Sequence, residues 1–346
     1  MIRAGGLSWL REASVYPGLL LAIAIAGVAT ILGHVLPVVG PPVFAIVGGI
    51  VVAVIRVPAP STRPGLAFAS RAVLQASIVV LGLGLSFREV LATGAASLPV
   101  LFGSLAVALV GARFFGRLLS IGGDLRTLIG VGTGICGASA IAATDAVISA
   151  SEADVSYAIA TIFTFNVIAV LTFPTLGHVL ALSPRGFGLW AGTAINDLSS
   201  VVAAATIFGH GATSSAVVVK LTRTLMIIPI AITLAVVRSR RGASIGSDGR
   251  HRFDAADIRR AFPVFIVWFL VAVGLDTLGV IPRSWHGSIS QIAEVMITVA
   301  LAAIGLSTRA RDIRRAGLRP LALGAILWIL VAVTSLGLQH ATGALG

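Results

Sequence analysis

The sequence predicts an all-α protein: a polytopic membrane helical bundle of about eleven transmembrane helices, with an inverted repeat and interrupted helices. Three observations carry that prediction. Composition comes first. Of 346 residues 57% are apolar and 11% charged, with a mean hydropathy of +1.02; soluble domains run about 45–50% and about 25%. Such a chain has too much apolar surface for one soluble domain and too much to stay disordered. Second, the apolar residues gather in runs near the roughly 20 residues a spanning helix needs. Third, the cations fall between alternate runs.

The runs lie at 16–36, 42–57, 72–87, 98–119, 127–149, 155–181, 188–208, 216–237, 262–281, 290–307 and 318–339. They use up the chain as a single integral membrane transporter domain over 1–346, leaving no separate soluble domain. The first run follows Arg3 and Arg11. It is longer than a signal-peptide apolar region and more spans follow, so it reads as a retained helix.

Orientation follows from the positive-inside rule. With the N-terminus in the cytoplasm, 21 of the 25 Lys and Arg fall in inside segments. Only Arg88 and Arg283 fall outside, and Lys220 and Arg223 lie within a helix. An odd span count then places the C-terminus outside. The segment 238–260 holds seven Arg and reads as a basic cytoplasmic loop between two halves, near anionic lipid headgroups. The net charge of +12 is thus a matter of topology, and nucleic acid is not an expected partner.

Residues 84–110 align without gaps on 305–331, with nine of 27 positions identical. Gly84-Leu85-Ser86 matches Gly305-Leu306-Ser307, and Pro99 and Gly103 match Pro320 and Gly324. By the charge count the two copies point in opposite directions, a signature of secondary transporters.

The fifth and seventh runs carry polar interruptions. The fifth contains Gly130, Gly132, Thr133, Gly134, Cys136, Gly137, Ser139 and Thr144; the seventh contains Asn196, Asp197, Ser199 and Ser200. Gly132-Thr133, Ile135, Ser139 and Ala143 match Gly192-Thr193, Ile195, Ser199 and Ala203 at an offset of 60. A broken helix offers free N–H groups to anions and free carbonyls to cations. Close packing through small residues is the competing use of the same glycines.

Asp197 is a carboxylate at the centre of an apolar run, where charge is costly and functional by default. It is expected to be protonated, to bind a cation, or to pair with Lys220 or Arg223. Those two residues are i and i+3 on one helix face, facing either an anion pathway or, for Lys220, the outer membrane boundary by snorkelling. Asn166 suits an interhelical hydrogen bond or a ligand contact. Asp145 suits solvent or an outer vestibule, and Cys136 a small buried apolar position. Asp276 and Glu294 are expected near outer helix ends, in solvent. No His pair has metal-ligand spacing, and no nucleophile or P-loop motif is present, so neither enzyme activity nor a cofactor is expected.

The segments ICGASAIAAT at 135–144, FGLWAGTAINDLSSVVAAA at 187–205, VVKLTR at 218–223 and GLST at 305–308 resemble the YeiH-like sulfate exporter family. The resemblance runs over nearly the whole chain. It implies a bacterial inner-membrane transporter, distantly similar to the bile-acid–sodium and sodium–proton antiporter fold. The chain departs from the usual pattern at Ala138, where Asn is more common, and at Asn196 and Leu198, which flank Asp197 where the family has His and Thr.

The expected function is secondary transport of a small anion, such as sulfate, by alternating access; the alternatives are a passive channel and a membrane protein with no transport activity. The substrate-binding residues expected are Thr133, Gly134, Cys136, Gly137, Ser139, Asn196, Asp197, Ser199, Ser200, Lys220 and Arg223. The partners expected are the anion, a coupling proton or sodium, membrane lipid and a second copy of the chain.

Overall fold

The computed structural model describes residues 15–35, 41–209, 211–227, 229–230, 233, 264–308 and 317–343. Among the described residues the protein is helical and contains no strand. Six helical segments are long and apolar enough to cross a membrane: Tyr16–Gly33, Pro60–Gly82, Phe87–Leu118, Glu152–Val179, Arg283–Ser307 and Leu318–Ala341. The molecule is a polytopic helical membrane protein. The basic loop 238–260 lies outside the described residues, as do positions 309–316 of the 305–331 repeat copy.

The chain forms two compact units: Met1–Phe87 with Phe265–Ala310, and Arg88–Val264 with Arg311–Gly346. The first contains α1 (Tyr16–Val35), α2 (Pro41–Ile55), α3 (Arg63–Phe68), α4 (Leu74–Gly82), α12 (Phe265–Thr277) and α13 (His286–Ser307). Its helices meet backbone to backbone. A Cβ at Gly65 would collide with the Val15 carbonyl oxygen, and one at Gly305 with that of Ile46. Such contact is how helices associate in lipid, where apolar burial alone provides no drive. Asp276, expected in solvent, instead meets His286 Nε2 at 2.8 Å and ties the end of α12 to the start of α13.

The second unit contains α5 (Phe87–Leu118), α6 (Gly123–Gly134), α7 (Ala138–Ile148), α8 (Glu152–Val179), α9 (Pro184–Ala194), α10 (Leu198–Phe208), α11 (Ala212–Thr224) and α14 (Leu318–Ala341). Capping sets several starts. Ser151 accepts from the Asp154 N–H before α8, and Ser183 from the Gly186 N–H before α9, where Pro184 takes the first turn.

The two interrupted segments do not run straight through, which corrects the expectation of a fifth and a seventh span. Phe187 and Phe208 are 21 residues apart. A continuous helix would separate them by about 31 Å. Their rings instead stack with centroids 3.9 Å apart. The chain therefore enters as α9, turns at 195–197 and returns as α10. The α6–α7 segment folds back in the same way. Gly132 packs on Ile141, and Leu125 and Ile129 of α6 share one core with Ile141 and Ile148 of α7. Each arm is 11 or 12 residues long, which reaches about 16–18 Å, half of a ~30 Å hydrocarbon core.

Helix α8 shows where each hairpin enters. Ala158 and Ile162, in its first half, pack into the core of α6 and α7. At its other end Gly177 packs on Phe187 and Phe208, and His178 stacks on Phe208 with centroids 4.3 Å apart. The hairpins thus start from opposite ends of α8, and their tips meet near its midpoint. There Ile162 contacts Gly137, and Asn166 accepts from the Asn196 N–H at 3.2 Å.

Two further helices embrace the second hairpin. α11 runs beside α9, with Gly188 against Ala212 and Ala216, and Gly192 against Ala216 and Val219. This Gly-x-x-x-Gly stripe is the small-residue packing weighed above. On the other side Trp190 Nε1 donates to the Ala332 carbonyl of α14 at 3.0 Å.

The hairpin topology has a direct test. In a Cys136→Ala background, Asp124→Cys and Glu152→Cys, both exposed at the ends of α6–α7, are expected to react with an impermeant maleimide from the same membrane face. Labelling from opposite faces would restore the straight span.

Candidate functional site

The site is built from two backbone turns. At the first tip Ile135, Cys136 and Gly137 join α6 to α7, and the Gly137 N–H reaches back to the Gly132 carbonyl at 2.9 Å. Gly137 has φ +69° and ψ −130°, a region that L-residues reach only with strain. At the second tip Ile195, Asn196 and Asp197 join α9 to α10. Asp197 caps α10: its Oδ2 accepts from the Ser199 and Ser200 N–H groups at 3.0 and 3.2 Å, and from the Ser199 hydroxyl.

Each turn leaves the last carbonyls of its entering arm without intrahelical partners. Lys220 and Arg223 of α11 supply those partners. Lys220 Nζ donates to Ile135 O at 2.9 Å and to Ile195 O at 2.8 Å. Arg223 Nε donates to Gly134 O at 2.8 Å and its Nη2 to Thr133 O at 2.9 Å, while Nη1 donates to Thr193 O. Both side chains are 0% exposed. The charge suits the place, because helix C-termini carry roughly half a negative charge each.

The partners fall into equivalent pairs. Lys220 holds Ile135 and Ile195, and Arg223 holds Thr133 and Thr193. Both pairs are separated by the offset of 60 along which the two sequence segments match. The local match is therefore also a spatial equivalence: two similar hairpins gripped by one cationic post.

This geometry corrects one expectation. No ion pair within 4 Å joins Asp197 to Lys220 or Arg223 among the described residues; its bonds go to the start of α10. Lys220 and Arg223 each donate to backbone carbonyls instead. They lie fully buried on the carbonyl side of the tips and hold backbone.

The other side of the tips is open. Ala138 and Ser139 at the start of α7 are exposed, and Asp197, Leu198 and Ser199 at the start of α10 are half-buried. Thr133, Gly134, Cys136, Gly137, Asn196 and Ser200 are buried behind them. Under the offset of 60, Gly137 is the counterpart of Asp197. One hairpin thus covers its returning helix with a carboxylate, and the other presents that end without a side-chain cap. Thr133 Oγ1, Asn196 Oδ1 and Asp197 Oδ1 are buried and have no hydrogen-bond partner among the described residues. No group of three or more His, Cys, Asp or Glu suited to a metal occurs among them.

Asn166 takes the interhelical role, holding the second tip from α8. Asp145 accepts from the Ala150 N–H at 2.9 Å and so closes the end of α7. Ser335 and Gln339 of α14 were not expected. Ser335 Oγ lies 2.5 Å from Thr193 Oγ1 and 3.1 Å from the Gln339 amide, and both residues are 0% exposed. Their signal in the sequence was two polar residues four apart in an apolar run, which puts them on one helix face.

Removing one partner of a buried charged cluster costs about 3–5 kcal/mol, whereas an exposed polar substitution stays within about 0.5 kcal/mol. Arg223→Gln is therefore expected to lower the unfolding temperature of the purified protein strongly, and Ser139→Ala to leave it nearly unchanged. Equal effects would mean that Arg223 does not pin the tips.

The family model described as conserved hypothetical protein 698 matches residues 17–324. A UPF0324 membrane protein of Streptococcus pyogenes serotype M18 is 40% identical over 335 residues, covering 94% of this chain and 97% of that protein. A UPF0324 membrane protein of Fusobacterium nucleatum is 38% identical over 346 residues, covering 94% and 98%. One from Streptococcus pneumoniae serotype 4 is 40% identical over 334 residues, covering 94% and 97%. With six spanning segments and relatives of this closeness along nearly its whole length, the chain is a multi-pass membrane protein of the UPF0324 family, the family of conserved hypothetical protein 698.

Proposed function

We propose that the protein is a secondary transporter of a small anion, an inorganic oxyanion such as sulfate, working by alternating access. One observation carries the reading. Two re-entrant hairpins enter from opposite ends of α8, meet tip to tip, and turn their returning N-termini toward the open side. Irregular backbone at that depth is tolerated where it is buried or lines a wet cavity. Here the carbonyl side is buried and the N–H side is accessible.

The chemistry of the open side favours an anion. The start of α7 offers N–H groups around Ala138 and Ser139 with no side-chain cap, the arrangement that binds oxyanions. The equivalent position on α10 holds its own carboxylate, Asp197. Lys220 and Arg223 add positive potential from behind without touching the substrate. Asp197 is the coupling carboxylate, and its buried Oδ1, which has no hydrogen-bond partner among the described residues, is the atom that takes a proton or sodium. Ser199 and Ser200 hold that carboxylate in place. Two similar hairpins facing opposite ways provide two packings of comparable energy, as alternating access requires.

The reading keeps the charge asymmetry. Folding two spans into hairpins removes crossings as a pair, so later loops keep their side. Only Arg185 changes face, leaving 20 cations inside and three outside. The N-terminus then lies in the cytoplasm of a bacterial inner membrane.

Asn caps a helix about as well as Asp, so Asp197→Asn separates charge from folding. In proteoliposomes the wild type is expected to accumulate labelled sulfate against its gradient, and Asp197→Asn to lose accumulation while keeping its unfolding temperature. Passive equilibration alone would indicate a channel. Accumulation by Asp197→Asn at the wild-type rate would remove Asp197 from the mechanism.

A further inference from the structure

We propose that the Lys220 ammonium is a tethered stand-in for a mobile monovalent cation at the meeting point of the two hairpins. Where two interrupted helices present their carbonyl ends to one another, the oxygens form a natural seat for an alkali ion. In this protein Ile135 O and Ile195 O, one from each tip, converge on a single point at 2.9 and 2.8 Å from Lys220 Nζ. Thr133 O, Gly134 O and Thr193 O, one or two residues back, converge on the Arg223 guanidinium. Five carbonyls from two independent backbone turns are thus neutralised by two charges carried on one helix.

The distances are those of a donor seated between two acceptors, and both cations are 0% exposed. A free ion would have to enter and leave through this buried face. A covalently attached one never leaves. The tips therefore stay docked without sodium or potassium, and the cation contribution to binding is permanent rather than part of a cycle. If the transport reading holds, on which this consequence rests, coupling falls to Asp197 on the open side, and the coupling ion is the proton.

The test replaces the tethered charge by a free one. Wild type and Lys220→Met are purified and unfolded thermally in choline, sodium, potassium and ammonium chloride at equal ionic strength. The wild type is expected to unfold at one temperature in all four. Lys220→Met is expected to be less stable in choline and to regain about 3–6 °C in a small cation, ammonium above all, as binding to the native state raises apparent stability. A variant indifferent to the cation would overturn the proposal. So would a wild type destabilised when choline replaces sodium, an arm that needs no variant and stands even where Lys220→Met fails to fold. Sulfate flux into wild-type proteoliposomes is then compared in sodium and in choline. Equal flux supports the proposal, and flux that needs sodium overturns it. No sulfate flux in either salt refutes the transport reading, while the unfolding temperatures still decide the role of Lys220.

Discussion

The structure of the second unit depends on one interaction: the grip of Lys220 and Arg223 on the last carbonyls of two entering half-helices. A membrane interior gives an exposed carbonyl no water to bond, so a helix that stops midway needs a partner for its end. Two helices stop midway here, and both stop against the same side chains. Without that post the turns at 135–137 and 195–197 would strand their carbonyls in a dry environment, at a cost comparable to the net stability of many domains.

The rest of the unit follows from accommodating that post. α11 must lie close enough to α9 for short-range contact, and Gly188 and Gly192 make room by removing side chains from the crossing. α8 must span the distance between the two entry points, and its 28 residues do so with Asn166 near the middle. The Phe187–Phe208 stack and the Trp190–Phe173 stack close the base of the second hairpin on α8. Gly137 takes the one tip conformation that a side chain would strain. These features share a consequence: carbonyl ends face inward onto fixed cations, and N–H ends face outward. Polarity is sorted across the tips, and the open side is left with the N–H ends of the two returning helices.

Much of this was legible in the sequence, though not as geometry. Charge segregation and apolar runs carried the membrane character. The polar residues at 132–139 and 192–200 marked the interruptions, and the offset of 60 between them marked their equivalence. Lys220 and Arg223 stood out as cations where charge is costly. Their backbone partners were not legible, because a backbone carbonyl leaves no trace in a residue string. Ser335 and Gln339 passed unnoticed for a related reason: two polar residues in a long apolar run acquire meaning only once Thr193 is beside them.

The hairpins mark the boundary between the two kinds of information. By itself the sequence determined that the chain is a helical membrane protein, where its helices break, and which residues carry charge at depth. Hydropathy, glycine spacing and isolated charges are properties of local composition. Only the tertiary structure decided that the broken segments return rather than cross. Two 11-residue arms and one 20-residue span have the same hydropathy, and removing two crossings together leaves the charge asymmetry almost unmoved. The deciding contacts, Phe187 on Phe208 and Lys220 on Ile135 and Ile195, join residues far apart in the chain, and only the folded backbone brings them together.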